Sequence, residues 1–235
     1  MAAGTGVNSK SKKYLTISNQ VDIKPFKGLT ITAAYDYRFR DVLNKYRNNT
    51  FQYSRAEGKM ETFTSGSVKN SYQEVTSNYA GHNLNIYGTY DNSWNGHNFK
   101  LTVGGQHETY RSVELDVSNS DLTNDELRTF ASATGIPVVT QDITSYKTLG
   151  FFARANYDYK GRYIVEVSAR GDGSSRFAPG HRWAFFPSAS AAWSISEEDF
   201  FAPARNVVDN MKLRFSAGSL GNQQVSNYAW IETIT

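Results

Sequence analysis

Between residues 149 and 221, apolar and polar side chains alternate in four successive runs, separated by breaks marked with Gly, Asp and Pro. Over 149–159 the apolar set is Leu149, Phe151, Ala153, Ala155, Tyr157 and Tyr159, and the polar set includes Arg154, Asn156 and Asp158. After Lys160 and Gly161 the phase restarts, with Tyr163, Val165, Val167 and Ala169 against Arg162, Glu166, Ser168 and Arg170. Runs at 183–195 and 211–219 repeat it. A two-residue period is that of a β-strand whose faces meet different media. Upstream, the same period marks 14–23, 29–40, 74–92 and 99–106. Between these runs, Lys24-Pro25-Phe26-Lys27-Gly28 reads as a short turn and Trp94-Asn95-Gly96-His97 as a tight hairpin, because Asn-Gly accepts the positive φ angles such turns need. Residues 41–70 and 113–146 are polar and aperiodic and read as long loops. In the second, Thr123-Asn124-Asp125-Glu126 resembles a capping box, and Leu127, Phe130 and Ala131 would line a short helix ending near Gly135. A further alternation begins at Tyr228 and Trp230.

The breaks run short, long, short, long, short, longer and medium. Outer-membrane barrels have short turns on the periplasmic side and long loops outside, whereas a soluble sandwich has no reason to keep that order. The runs suggest strands of about 10–19 residues, against a usual mode of about 5–6 in globular sheets. The reading is therefore all-β: an antiparallel transmembrane β-barrel segment, with eight strands and part of a ninth. A closed single-chain bacterial barrel has an even number of strands, and open edges are not tolerated in lipid, so the segment is expected to belong to a larger barrel. A soluble all-β binding domain is the alternative, and a passive porin-like channel a third reading.

Composition refines this only slightly. The 235 residues are 39% hydrophobic and 20% charged, which suits an ordinary soluble protein and equally a barrel whose alternate residues face lipid. No apolar run approaches the ~20 residues of a membrane helix. The net charge of +3 comes from scattered Lys and Arg, so nucleic-acid binding is unsupported. With no Cys and four His at unrelated spacings, neither a metal site nor a disulfide framework is expected. Aromatic residues reach 14%, and Tyr and Trp collect where an apolar ring and a wet tip are both satisfied. Met1-Ala-Ala-Gly-Thr-Gly lacks the basic and apolar regions of a signal peptide. Either the protein is not exported, or the chain is an internal piece.

The runs also carry specific strings. These are Arg170-Gly171-Asp172-Gly173-Ser174-Ser175-Arg176-Phe177, then Phe186-Pro187-Ser188-Ala189-Ser190-Ala191-Ala192-Trp193, then Met211-Lys212-Leu213-Arg214-Phe215-Ser216-Ala217-Gly218 followed by Gly221-Asn222. Together they resemble the barrel of the SusC/RagA family of TonB-linked outer-membrane transporters, with Met211 a slight departure from the family's string. The motif-rich match covers about 147–222, and residues 1–235 as a whole fit a partial barrel. The resemblance implies a barrel of about 22 strands plugged by an N-terminal domain, with signal peptide, plug and barrel C-terminus lying outside this chain. It implies a protein of the outer membrane of a Gram-negative, Bacteroides-type bacterium. It further implies a SusD-like surface lipoprotein as lid, the TonB–ExbB–ExbD complex as energy source, and glycans or peptides as cargo. No enzymatic activity, catalytic residue, metal or cofactor is implied.

Individual residues follow from face and position. Arg154, Asn156, Glu166, Arg170 and Arg214 fall on the polar face, as contacts either to substrate in the lumen or, better, to a plug that pairs their charges. Trp183, Phe185 and Trp193 share the apolar face near the ends of one run and read as membrane-interface aromatics. Tyr46, Phe51, Tyr53 and Phe63 sit in the first long loop, as candidates for contact with ligand or lid outside the cell. Arg170-Gly171-Asp172 spells an adhesion tripeptide but reads as a strand end. Glu197 and Glu198 invite a glycosidase reading, which is rejected because they lie in a turn with no partner acid.

Overall fold

In the computed structural model the eight alternating runs become eight antiparallel strands of one open sheet, ordered β1-β2-β5-β6-β7-β8-β9-β10. The strands are β1 (Val7–Phe26), β2 (Leu29–Asn48), β5 (Ser71–Trp94), β6 (His97–Ser120), β7 (Val138–Tyr159), β8 (Tyr163–Ser174), β9 (Trp183–Ser194) and β10 (Lys212–Gly218). A separate hairpin comprises β3 (Phe51–Ala56) and β4 (Lys59–Phe63). The structure describes residues 7–49, 51–63, 70–124, 127–223 and 225–227. Asp125, Glu126, Tyr228 and Trp230 lie outside them. The described residues divide into two compact units, one within 1–16, 38–80 and 111–144, the other within 17–37, 81–110 and 145–235.

Three hairpin turns carry the chemistry they require. Gly28 has φ +90°, Asn95 and Gly96 have φ +47° and +82°, and Lys160 and Gly161 have φ +52° and +70°. The positive pairs match the twist of the strands they join. β1 runs through Pro25 to Phe26, so the first turn is only Lys27 and Gly28. A side chain at position 28 would be strained by its φ and would sit 2.6 Å from the carbonyl oxygen of Asp91, whose N–H donates to Gly28 at 2.8 Å. Gly28→Val should therefore cost at least about 1–3 kcal/mol. Chemical unfolding of the full-length protein in detergent measures it, and an unchanged midpoint would show that the turn is not under this constraint.

The long loops are corrected. β2 continues through 41–48, 51–63 forms the small hairpin, β6 continues to Ser120 and β7 begins at Val138. A barrel strand needs about 9–11 residues to cross lipid, whereas β2, β5, β6 and β7 have 20, 24, 24 and 22. Where both faces meet water, nothing enforces alternation, but the backbone ladder still gains from continuing. Thus the period stops before the strands do. The expected short helix is also corrected. Phe130–Ser132 is a single 3-10 turn capped by the Thr129 hydroxyl, and Leu127 is exposed. Phe130 is drawn into edge contact with Tyr72 at 4.9 Å, and the Thr123 and Gly135 amides bond back to Ser132 and Ser120, which leaves no length for a helix.

Register across β7 to β10 makes the two faces explicit. Phe151 pairs with Gly171 and Gly171 with Phe185; Ala155 with Val167 and Val167 with Ala189; Tyr163 with Trp193 and Trp193 with Leu213; Ala191 with Phe215. Every one of these is on the apolar face. In a soluble sandwich it would be covered, yet Phe151 is 56% exposed, Val165 44%, Val167 49% and Phe185 66%, and Ala189 is exposed as well. β8 and β9 are interior strands, so this is not an edge effect. The buried apolar residues among those described are Val42, Tyr72, Leu122 and Ala192. A face of this extent is not left to water by soluble domains, and the alternative of a soluble binding domain fails on it.

Candidate functional site

The opposite face of the same four strands holds the polar residues, and there the sheet lines a concavity of about 770 Å³. Arg154, Glu166, Arg170 and Arg214 all contribute to its wall, with Asp172 and a field of serines on β8 to β10. Asn156 lies beside them on the same face, opposite Glu166 in register. The sequence parity thus placed all five candidates on one face, and the structure sorts them into three environments.

Glu166 accepts from Asn156 Nδ2 at 2.6 Å and faces Arg154 Nε at 3.8 Å across part-exposed surface. An exposed pair of that length contributes little stability. Arg170 is held firmly: its Nε donates to both oxygens of Asp172 at 2.8 and 2.7 Å, and its Nη2 donates to Gln106 Oε1 at 3.0 Å. The apparent adhesion tripeptide is therefore an in-strand ion pair around a glycine that faces the other side. Arg214, on β10, makes no ion pair among the described residues. Three guanidiniums against two carboxylates leave the concavity positive, and Ser168 and Ser188, hydrogen-bonded at 2.7 Å, present hydroxyls between the charges. The surface suits multiple hydrogen bonds to a polar solute or to another protein surface. Nothing in it pairs a nucleophile with a base, and no group of three metal-ligating side chains occurs among the described residues. Asp172 and Gln106 were not picked out by sequence. Asp172 is two residues from Arg170 on the same face, a signal that was available; Gln106 is 64 residues away and gave none.

The candidate interface aromatics lie on the apolar face of β9. Trp183 opens β9 and stacks on Phe151 with centroids 6.2 Å apart, Phe185 follows on the same face, and Trp193 lies ten residues on from Trp183, at the other end. Ten residues at about 3.4 Å each, tilted by about 40°, rise about 26 Å, close to the height of an apolar barrel band. Tyr46 is not in a loop but half-buried on β2. Phe51, Tyr53 and Phe63 lie on the β3–β4 hairpin, with Phe51 opposite Phe63 and Tyr53 opposite Glu61. They too belong to strands, which a polar stretch without a clear period conceals.

The turn after β9 is closed by Glu198. Its carboxylate meets Arg162 Nη1 at 3.1 Å and accepts from Trp193 Nε1 at 3.0 Å, while Arg162 Nη2 reaches Asp199 at 2.9 Å. The Tyr163 hydroxyl and the Trp193 indole, with the Arg162 charge, hold the Glu198 carboxyl below the usual carboxylate range, against the opposing effect of burial. These contacts close the turn after β9 on the strand ends. A lowered folded-state pKa means the clasp is fully present above the ordinary Glu range of about 4.3 and is lost as pH falls through the lowered value. Glu198→Gln should raise hydrogen exchange across 194–205 at neutral pH, and wild type should reach the same exchange only on strong acidification. Equal protection in both at pH 7 would contradict the clasp.

Set against known proteins, the sequence matches the family described as TonB dependent receptor-like, beta-barrel, over residues 3–229. A TonB-dependent receptor of Formosa agariphila is 27% identical over 94% of this chain and 21% of its own length. The TonB-dependent receptor SusC of Bacteroides thetaiotaomicron is 30% identical over 82% of this chain and 19% of its own. In structure, the RagAB peptide transporter superposes with a TM-score of 0.82 at 20% identity, over 95% of this chain and 24% of that one. The chain spans about a fifth of the length of the curated relatives it matches.

Proposed function

The chain belongs to the TonB-dependent receptor-like β-barrel family, and from that premise we propose that it forms part of the wall of a TonB-energised nutrient importer in the outer membrane of a Gram-negative bacterium. The observation that carries the reading is the apolar face of β7 to β10, continuous across four strands with its large side chains Phe151, Val165, Val167, Phe185, Leu213 and Phe215 exposed, backed by a polar face lined with Arg, Glu, Asp and Ser. Lipid is the medium that lets the first face stand uncovered.

On this reading the polar face turns toward the lumen. Arg154, Asn156, Glu166, Arg170 and Arg214 contact a plug that fills a barrel of about 22 strands, and the surplus length of β2 and β5 to β7 stands outside the cell. The resemblance to SusC, and to a structure of a peptide transporter, supports a SusD-like lipoprotein as lid and glycans or peptides as cargo. TonB–ExbB–ExbD supplies the energy, and the chain itself performs no bond-breaking chemistry.

Uptake by cells carrying the full-length protein tests this against a passive pore. Dissipating the proton-motive force, or deleting the TonB system, should reduce uptake to the background of cells lacking the protein. Uptake that continues unchanged would instead establish a passive channel.

A further inference from the structure

The turn between β9 and β10 presents a feature that barrel closure and transport do not use. Its 3-10 segment, Asp199–Ala204, carries Phe200, a large apolar side chain 67% exposed. An exposed apolar side chain is ordinary by itself, and Val207 in the same turn is exposed too; what marks Phe200 is the ring it touches.

A neighbouring ring fixes the position of Phe200. Its ring meets Trp193 edge-on, with centroids 6.4 Å apart. In register Trp193 lies opposite Tyr163 on one side and Leu213 on the other, so it belongs to the apolar face. Beside it a shallow groove of about 290 Å³ is lined by Tyr163, Val165, Ala191, Trp193, Leu213 and Phe215, almost without polar surface. The turn therefore folds back onto the apolar side rather than the concavity. The Glu198 clasp explains how it is kept there: Glu198 and Asp199, immediately before Phe200, are fastened to Arg162 at 3.1 and 2.9 Å, and Glu198 also receives the Trp193 indole.

We infer that the β9–β10 turn is a membrane-interface foot, in which Phe200 lies at the boundary between headgroups and acyl chains of the leaflet at the short-turn end of the barrel. The occupant of this surface is lipid, by continuity with the apolar face that ends at Trp193, and the inference rests on the reading of that face as lipid-facing. Its physics is that of interfacial aromatics and amphipathic segments, which bury an apolar side about 5–10 Å into this boundary. Residues 195–211 hold more acidic than basic side chains, so nothing in the turn marks it for an anionic headgroup.

An environment-sensitive dye on the full-length protein in phospholipid vesicles tests this. The dye is placed by Phe200→Cys, with Val165→Cys on the apolar face and Glu57→Cys in the exposed β3–β4 turn for comparison. At position 200 the emission should be blue-shifted relative to position 57, and quenched more by nitroxides near the headgroup than by nitroxides deep in the acyl region. At position 165 deep quenchers should act more strongly. Phe200→Trp, which keeps an aromatic ring against Trp193, should report the same shallow depth through brominated lipids. If position 165 is quenched by lipid while position 200 in both variants behaves like water, the foot is overturned and the barrel reading stands. If position 165 also behaves like water, the barrel reading itself is overturned.

Discussion

Val167→Arg is expected to destabilise the protein in a bilayer by about 2–4 kcal/mol, the depth-dependent cost of Arg on the lipid face of a barrel at the midplane. Val167 pairs with Ala155 on β7 and with Ala189 on β9, and Ala189 lies about midway between Trp183 and Trp193, so this position is far from either interface. Its neighbour Ser168→Arg, on the opposite face among serines and arginines, should cost far less, because an added charge there has polar surroundings. A soluble surface would tolerate both to within about 0.5 kcal/mol. Reversible unfolding of the full-length protein into lipid vesicles measures the pair. Near-equal costs at 167 and 168 would contradict the assignment of faces.

The second large effect concerns Arg47, which is 2% exposed in the unit built from 38–80 and 111–144. Its guanidinium donates to the Asn48 carbonyl at 2.6 Å, to the Asn70 side-chain oxygen, and at 3.3 Å to the carbonyls of Ser71 and Asn124. Asn70 then donates to the Leu122 carbonyl at 3.0 Å, beside the Tyr72–Phe130 contact. One side chain thus joins the end of β2, the start of β5 and the segment after β6. Arg47→Ala leaves these acceptors without their donor and opens a cavity, and should cost about 2–4 kcal/mol locally. Arg47→Lys should restore little, since an ammonium cannot replace the planar fork. Hydrogen exchange should show the loss confined to 45–49, 70–74 and 121–135, with β8 and β9 unchanged. A uniform loss across the sheet, or none, would contradict a local node.

How much of this could be read beforehand depended on which medium each residue meets. β8 was legible almost completely: Val165 and Val167 against Glu166 and Ser168 is a pattern imposed by lipid on one side and water on the other. The same parity puts Arg154, Glu166, Arg170 and Arg214 on one face. Residues 41–48, 113–120 and 138–146 read as loop because, beyond the apolar band, no medium enforces a period, although the backbone ladder persists. Arg47 was invisible for another reason: its bond to Asn124 spans 77 residues, and a single Arg in a polar stretch announces no partner. The Glu198 clasp was hidden in a turn whose two acids looked catalytic or incidental until Arg162 and Trp193 were seen beside them. The short helix failed because Phe130 is used by Tyr72, a tertiary demand that local spacing does not express.

That β8 separates lipid from water is tested most directly by a collision-accessibility scan. Single spin labels at positions 163 to 170 of the full-length protein in vesicles are exposed in turn to oxygen, which concentrates in lipid, and to a water-soluble nickel chelate. Labels at 163, 165, 167 and 169 should be reached by oxygen and shielded from nickel, and labels at 166, 168 and 170 should lose that oxygen preference. Odd positions shielded from both reagents would mean that a second protein layer covers them, and the membrane reading would be contradicted.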